Sequence, residues 1–209
     1  ADINFPDEEI DVPKASSVKD SLSCVEKQLS DMIKASDKGL ILREGITTVI
    51  CGKPNVGKST LMNSFLKQDR VIVTPIPGTT RDAIEEIVNI RGIPLKIVDT
   101  AGIINAEDEL TQESVERSKR YIKSADLILL MLDSSDKLDS QDFDIIDMVK
   151  DKKILVVVNK IDLPEATRID DIKRHLLDKE IVKISAKNRY GIEELEDTIH
   201  RIFWSGDIT

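Results

Sequence analysis

From Gly45 onward, short apolar runs alternate with longer stretches whose apolar residues recur every third or fourth position. Leu127 to Leu132 and Ile154 to Val158 are apolar without interruption, the pattern of a strand buried on both faces. Strands are expected to begin near Thr47, Leu95, Leu127, Ile154 and Ile181. The run from Ile84 to Ile90 differs. It carries Glu85, Glu86 and Asn89 and is followed by Arg91-Gly92. A polar strand, a turn and the Leu95 strand make an antiparallel hairpin, with the polar member at the sheet edge. Helical spacing covers Ser59–Leu66, Glu113–Lys123, Gln141–Val149, Asp170–Leu177 and Ile192–Phe203. Strand alternating with helix argues for an α/β fold: a mostly parallel six-stranded sheet, helices on both faces and one antiparallel edge strand.

The chain before Gly45 follows another rule. Residues 1–15 are acidic, carry Pro6 and Pro13, and read as an extended lead. From about Ser17, Val18, Leu22, Val25, Leu29 and Met32 recur at spacings of four and three, which lines one face of a helix with apolar residues. Gly39 ends that helix or interrupts it. Such a stripe packs on the domain or on something outside this chain. The expected organisation is an extended lead and helical segment over 1–44, part of a helical domain, then an α/β domain over 45–204 and a tail over 205–209.

Charge narrows the function classes. The chain of 209 residues has 30 Lys and Arg against 39 Asp and Glu, a formal net charge of −9. It therefore lacks the broad positive field that holds nucleic-acid phosphates without regard to sequence. The only two cysteines, Cys24 and Cys51, fit a reducing compartment and read as small core residues. The acidic, proline-bearing start does not read as a signal peptide. No apolar run nears the roughly 20 residues that span a bilayer, so a soluble cytoplasmic protein with no membrane partner is expected. His175 and His200 lie far apart on expected helices and read as surface or packing residues.

The chemistry begins at the stretch from Gly52 to Ser59, which fits the phosphate-binding pattern G-x-x-x-x-G-K-[ST] without mismatch. A β-type run leads into it and a helical run leaves it. Glycines let the backbone amides of Asn55, Val56, Gly57, Lys58, Ser59 and Thr60 curl toward phosphate oxygens. The following helix N-terminus adds partial positive charge. Lys58 supplies a point charge for the β- and γ-phosphates, and Ser59 a hydroxyl for Mg²⁺. Three further motifs follow, each at an expected strand end, where ligands gather in an open parallel sheet. Asp99, Thr100, Ala101 and Gly102 can hold Mg²⁺ through water and offer a glycine N–H to the γ-phosphate. Asn159-Lys160-Ile161-Asp162 ends in a carboxylate that accepts two N–H bonds from guanine and none from adenine, which rejects the wrong base. Ser185-Ala186-Lys187 can offer a backbone N–H to the guanine O6.

Together the four motifs resemble the GTP-binding domain of the translation-factor-related GTPases, so the implied fold is the Ras-like P-loop GTPase fold. Residues 67–82 then form the first switch loop, including Thr74, Pro75, Ile76, Pro77, Gly78, Thr79 and Thr80. A threonine there reaches Mg²⁺ only while the γ-phosphate holds the loop, which couples nucleotide state to conformation. The 39–45 junction, Lys53 to Gly57 and Pro77 to Asp82 are similar to the MnmE (TrmE) family, whose members modify the tRNA wobble uridine. That resemblance covers essentially the whole chain. It implies binding of GTP and GDP, with Mg²⁺ ligated by Ser59 and Thr80. It also implies K⁺ ligated by Asn55, Thr74, Ile76 and Thr79, where other GTPases place an arginine finger. It implies a homodimer formed through the GTP-binding domains, a tRNA substrate and an MnmG-like partner. The helical and folate-binding parts of such a protein are expected outside this chain. The implied catalytic set is Lys58, Thr80, Gly102 and a water-orienting glutamate. Ile103 cannot orient water, and an ungapped register puts Thr111 at the glutamate position, with Glu109 and Glu113 two residues to either side. Weaker intrinsic turnover than the family norm follows from that departure. Two other readings remain: a ribosome-assembly GTPase of the Era or Der type, and a nucleotide-gated binding module that hydrolyses negligibly.

Overall fold

The structure, a computed structural model, describes residues 15–66, 85–99, 120–167 and 169–204. The chain divides into two compact units, Ala1–Leu40 and Ile41–Thr209. Helix α1 (Ala15–Glu44) supplies the described part of the first unit. Gly39 neither ends nor interrupts it: a helix tolerates glycine at a cost of about 1 kcal/mol relative to alanine. Val18, Leu22, Val25, Leu29 and Met32 are 43–69% exposed, so the stripe faces solvent among the described residues. Cys24 corrects the reading of both cysteines as core residues. It is exposed because every described side chain from 18 to 33 on this helix is exposed, leaving no packed face for it to enter.

In the second unit the Gly45 N–H closes the end of α1 onto the Ile41 carbonyl at 2.8 Å, and the chain enters β1 (Ile46–Cys51). There follow α2 (Lys58–Leu66), β2 (Glu85–Ile90), β3 (Ile93–Asp99) and β4 (Leu127–Asp133). The chain then forms α3 (Ser140–Val149), β5 (Ile154–Asn159), α4 (Ile169–His175), β6 (Glu180–Lys183) and α5 (Ile192–Trp204). The six strands lie in the order β2-β3-β1-β4-β5-β6. All neighbours are parallel except β2 and β3, and polar β2 takes the edge as its composition requires. β3 starts two residues before the expected Leu95. Pro94 cannot donate to a ladder, but β1 joins β3 only from Leu95, so at Pro94 only β2 runs alongside.

Each apolar run serves two cores, because successive side chains point to opposite faces. Leu127, Leu129 and Met131 join Leu61 and Phe65 of α2 and Leu195 and Ile199 of α5. Ile128, Leu130 and Leu132 join Ile146 and Val149 of α3 and Ile172 of α4. A sheet wedged between two apolar layers is rigid, and its parallel strands all deliver their carboxyl ends to one rim. Among the described residues no helix is long and apolar enough to cross a membrane.

Candidate functional site

The loop from Gly52 to Gly57 joins β1 to α2. β1 lies between β3 and β4, so the loop leaves the sheet where the strand order reverses, the place where an open α/β sheet opens a crevice. Gly52 (φ +147°) passes against β4 so closely that a Cβ would collide with the Met131 carbonyl oxygen. Gly57 (φ +107°) passes the Asn159 side-chain amide in the same way. Lys58 is buried at 7% exposure, and its ammonium donates to the carbonyls of Gly52 (2.9 Å) and Lys53 (2.8 Å). A lysine held by its own loop keeps a positive charge where the amides converge. Ser59 and Thr60 are exposed on the first turn of α2. Asn55 is exposed with φ +62°, a left-handed conformation that asparagine tolerates better than most residues.

The Asn159–Asp162 motif begins at the end of β5, which is in register with the end of β4 at Asp133 and Asn159. Asn159 is 3% exposed. Its amide nitrogen donates to the Val56 carbonyl at 2.8 Å, and its amide oxygen accepts from the Ala186 N–H at 2.9 Å. One side chain thus ties the phosphate loop to the 185–187 segment. Of the 185–187 segment, expected to offer a backbone N–H to a base, the Ala186 N–H serves that tie. Lys160 (φ +65°) pairs with Asp133 at 2.5 Å. Burial pushes the Asp133 carboxyl pKa up, but Lys160 and hydrogen bonds from the Ser135 hydroxyl and amide outweigh it and hold it below the ordinary value. Asp162, two residues past Lys160, and Lys187 are both exposed. Ser185 is buried; it exchanges backbone bonds with Tyr190 at 3.0 and 3.1 Å and accepts from the Asn188 N–H at 3.2 Å. The Ser64 hydroxyl of α2 lies 3.1 Å from the Ala186 carbonyl, a second link between loop helix and base segment.

The structure therefore gathers residues 55–60, 159–162 and 185–187 at the carboxyl ends of β1, β5 and β6. The backbone of Asp99 ends β3 at the same rim. Thr74, Pro75, Ile76, Pro77, Gly78, Thr79, Thr80, Thr100, Ala101, Gly102, Glu109, Thr111 and Glu113 lie outside the described residues. Cys51, just ahead of the loop, is fully buried, and burial pushes its thiol up to about 12 against the pull of Lys58. It is a packing residue. His175 packs against Phe143 at 4.6 Å and His200 stacks on Trp204 at 5.6 Å. Among the described residues no group of three or more His, Cys, Asp or Glu is placed to hold a metal ion. The residue that sequence reasoning missed is Asp133. It closes an apolar strand in the same way that Asn159 closes the next one, and that shared position was its signal.

Residues 47–160 match a family model described as 50S ribosome-binding GTPase. The chain is 47% identical over 206 residues to the tRNA modification GTPase MnmE of Clostridioides difficile, covering 99% of this chain and 45% of that protein. It is 48% identical over 206 residues to the MnmE of Alkaliphilus metalliredigens, covering 98% and 44%. The chain thus spans less than half the length of these curated relatives. Among solved structures, Aquifex aeolicus Era bound to GDP·AlF4⁻ matches with a TM-score of 0.57 and 36% identity over 74% of this chain and 55% of that one.

Proposed function

We propose that this chain, a member of the GTPase family that the matching model describes and within it of the MnmE group, binds GTP on the 52–60 loop and hydrolyses it to GDP and phosphate. The observation that carries this reading is the Asn159 tie. It holds the 52–57 loop and the 185–187 segment in one frame, as a nucleotide that touches both would require. Lys58 and the amides of 55–60 take the phosphates. The exposed Asp162 carboxylate takes the two N–H donors of guanine, beside the Lys160 stem.

The donor set suits the cations the resemblance implies. Ser59 and Asn55 are exposed and carry side-chain oxygens, and hard cations take oxygen ligands. Bound Mg²⁺ and K⁺ would supply positive charge beside the phosphates as negative charge shifts during transfer. In our reading Ser59 and Thr80 hold the first, and Asn55, Thr74, Ile76 and Thr79 the second, while Glu109 or Glu113 orients water in place of Thr111. In our reading the GTP-binding domain pairs with a second copy on activation and drives tRNA modification, the activity named for the relatives called MnmE.

The test is GTP hydrolysis in matched potassium and sodium buffers with magnesium. Turnover stimulated by potassium alone is the expected result. GTP binding with no turnover in either salt overturns the hydrolase reading and leaves a nucleotide-gated binding module. A second prediction arises from the Lys160 pair. Asp133→Asn removes the charge that fixes Lys160 and should weaken GDP binding about threefold to tenfold, a change of about 1 kcal/mol. Fluorescence titration reads it. Unchanged affinity would mean that Lys160 keeps its place without the ion pair.

A further inference from the structure

The side chain of Lys53 leaves the 52–57 loop and enters a cluster of three carboxylates. Its ammonium lies 2.8 Å from Asp142, 2.9 Å from Asp139 and 3.8 Å from Asp136. The side chain is 12% exposed and that of Asp142 only 4%. These carboxylates are themselves fixed. Asp139 is the N-cap of α3, where its side chain accepts the Gln141 and Asp142 N–H groups, and Asp142 in return accepts the Asp139 N–H at 3.1 Å. This reciprocal capping box makes a stiff anchor. The backbone of Lys53 meanwhile provides one of the two carbonyls that hold Lys58.

We propose that Lys53 is a positioning residue for nucleotide binding. Clasped by Asp142 and Asp139 at the N-terminus of α3, it fixes the loop carbonyls that set the Lys58 ammonium. The proposal rests on the reading of the loop as the GTP site. The contacts with exposed Asp136 and Asp139 contribute little, as surface pairs do. The Asp142 contact decides the matter, because a nearly buried carboxylate that loses its cation carries an uncompensated charge. Burial disfavours the charged form of Lys53, yet the hydrogen bonds and charges of Asp142 and Asp139 outweigh this and hold its pKa above the ordinary lysine value. A lysine here acts through the loop backbone and need not touch the nucleotide.

The test compares wild type, Lys53→Met, Lys53→Arg and Asp142→Asn, with Lys150→Met as an exposed control at the C-cap of the same helix. The readouts are the Kd for N-methylanthraniloyl-GDP, kcat and KM for GTP, and thermal midpoint. Lys53→Met keeps the apolar stem and should raise Kd about tenfold, with a parallel fall in kcat/KM. Lys53→Arg should restore Kd to within about twofold, because a guanidinium can bridge the same two carboxylates. Asp142→Asn should shift Kd in the same direction by about threefold, which keeps the test open if Lys53→Met folds poorly. A purely structural ion pair would lower the midpoint while leaving Kd unchanged well below it, and that result overturns the clasp. If wild type binds and Lys53→Met and Asp142→Asn bind equally well, the clasp alone fails. If wild type binds no guanine nucleotide, the clasp falls together with the GTP-site reading.

Discussion

Gly52→Ala should destabilise the α/β unit by about 3–4 kcal/mol, a large part of the 5–15 kcal/mol that holds a typical domain folded. Two costs add. At φ +147° an L side chain is strained by about 1–3 kcal/mol. The new Cβ also collides with the Met131 carbonyl oxygen. That oxygen belongs to the backbone of β4, where Met131 pairs with Val157 of β5 one residue past the last β1–β4 pair, Cys51 and Leu130. It cannot yield as a flexible side-chain tip would. The sign of the change is informative. Where the backbone tolerates it, Gly→Ala usually stabilises by about 0.4–1 kcal/mol through the unfolded chain. Urea unfolding should show the midpoint falling with the slope unchanged. A loss below about 1 kcal/mol would mean that the loop moves off β4 at little cost, and the close approach would then not be what shapes the phosphate cradle.

The sheet was legible because its strands announce themselves by composition. Leu127 to Leu132 and Ile154 to Val158 have no polar face to hide, so they belong in the middle, and Glu85, Glu86 and Asn89 mark an edge. The loop from Gly52 to Gly57 was legible because its two glycines answer to close backbone approaches that a side chain would block. Three things were not. Cys24 was read as buried because a free cysteine usually is, yet its burial depends on a partner face that its helix does not have among the described residues. Asp133 pairs with Lys160 across neighbouring strand ends, and spacing along the chain, 27 residues, gives no hint of a register. The clasp on Lys53 links residues 83–89 positions downstream for the same reason. Lys137 to Asp142 could be recognised as a helix-capping loop from local chemistry alone, but not as an anchor for the loop at 52–57. Local capping has a sequence signature, whereas a tertiary ion pair does not.

Asn159→Ala should couple stability to ligand affinity more strongly than any change at the exposed base-reading residues. The side chain spans a fixed acceptor, the Val56 carbonyl, and a fixed donor, the Ala186 N–H. Only one orientation of the amide satisfies both, so its oxygen and nitrogen are assigned by their partners. Alanine leaves both backbone groups buried and unpaired, each costing about 1–3 kcal/mol, so a loss of about 2–4 kcal/mol is expected in urea unfolding. The same change frees the phosphate loop from the 185–187 segment. If both must be in place before a nucleotide can touch them together, GDP affinity should fall by about 100-fold, since each factor of ten is about 1.4 kcal/mol. Asn159→Asp separates the two bonds. A carboxylate still accepts from Ala186 but presents an oxygen to the Val56 carbonyl, so it repels the phosphate loop while keeping the base segment. If the loop side governs binding, Asn159→Asp should bind GDP as poorly as Asn159→Ala. If the base side governs it, Asn159→Asp should recover most of the affinity. Wild-type affinity in both variants, at a temperature where both are folded, would mean that the tie stabilises the fold and does not organise the site.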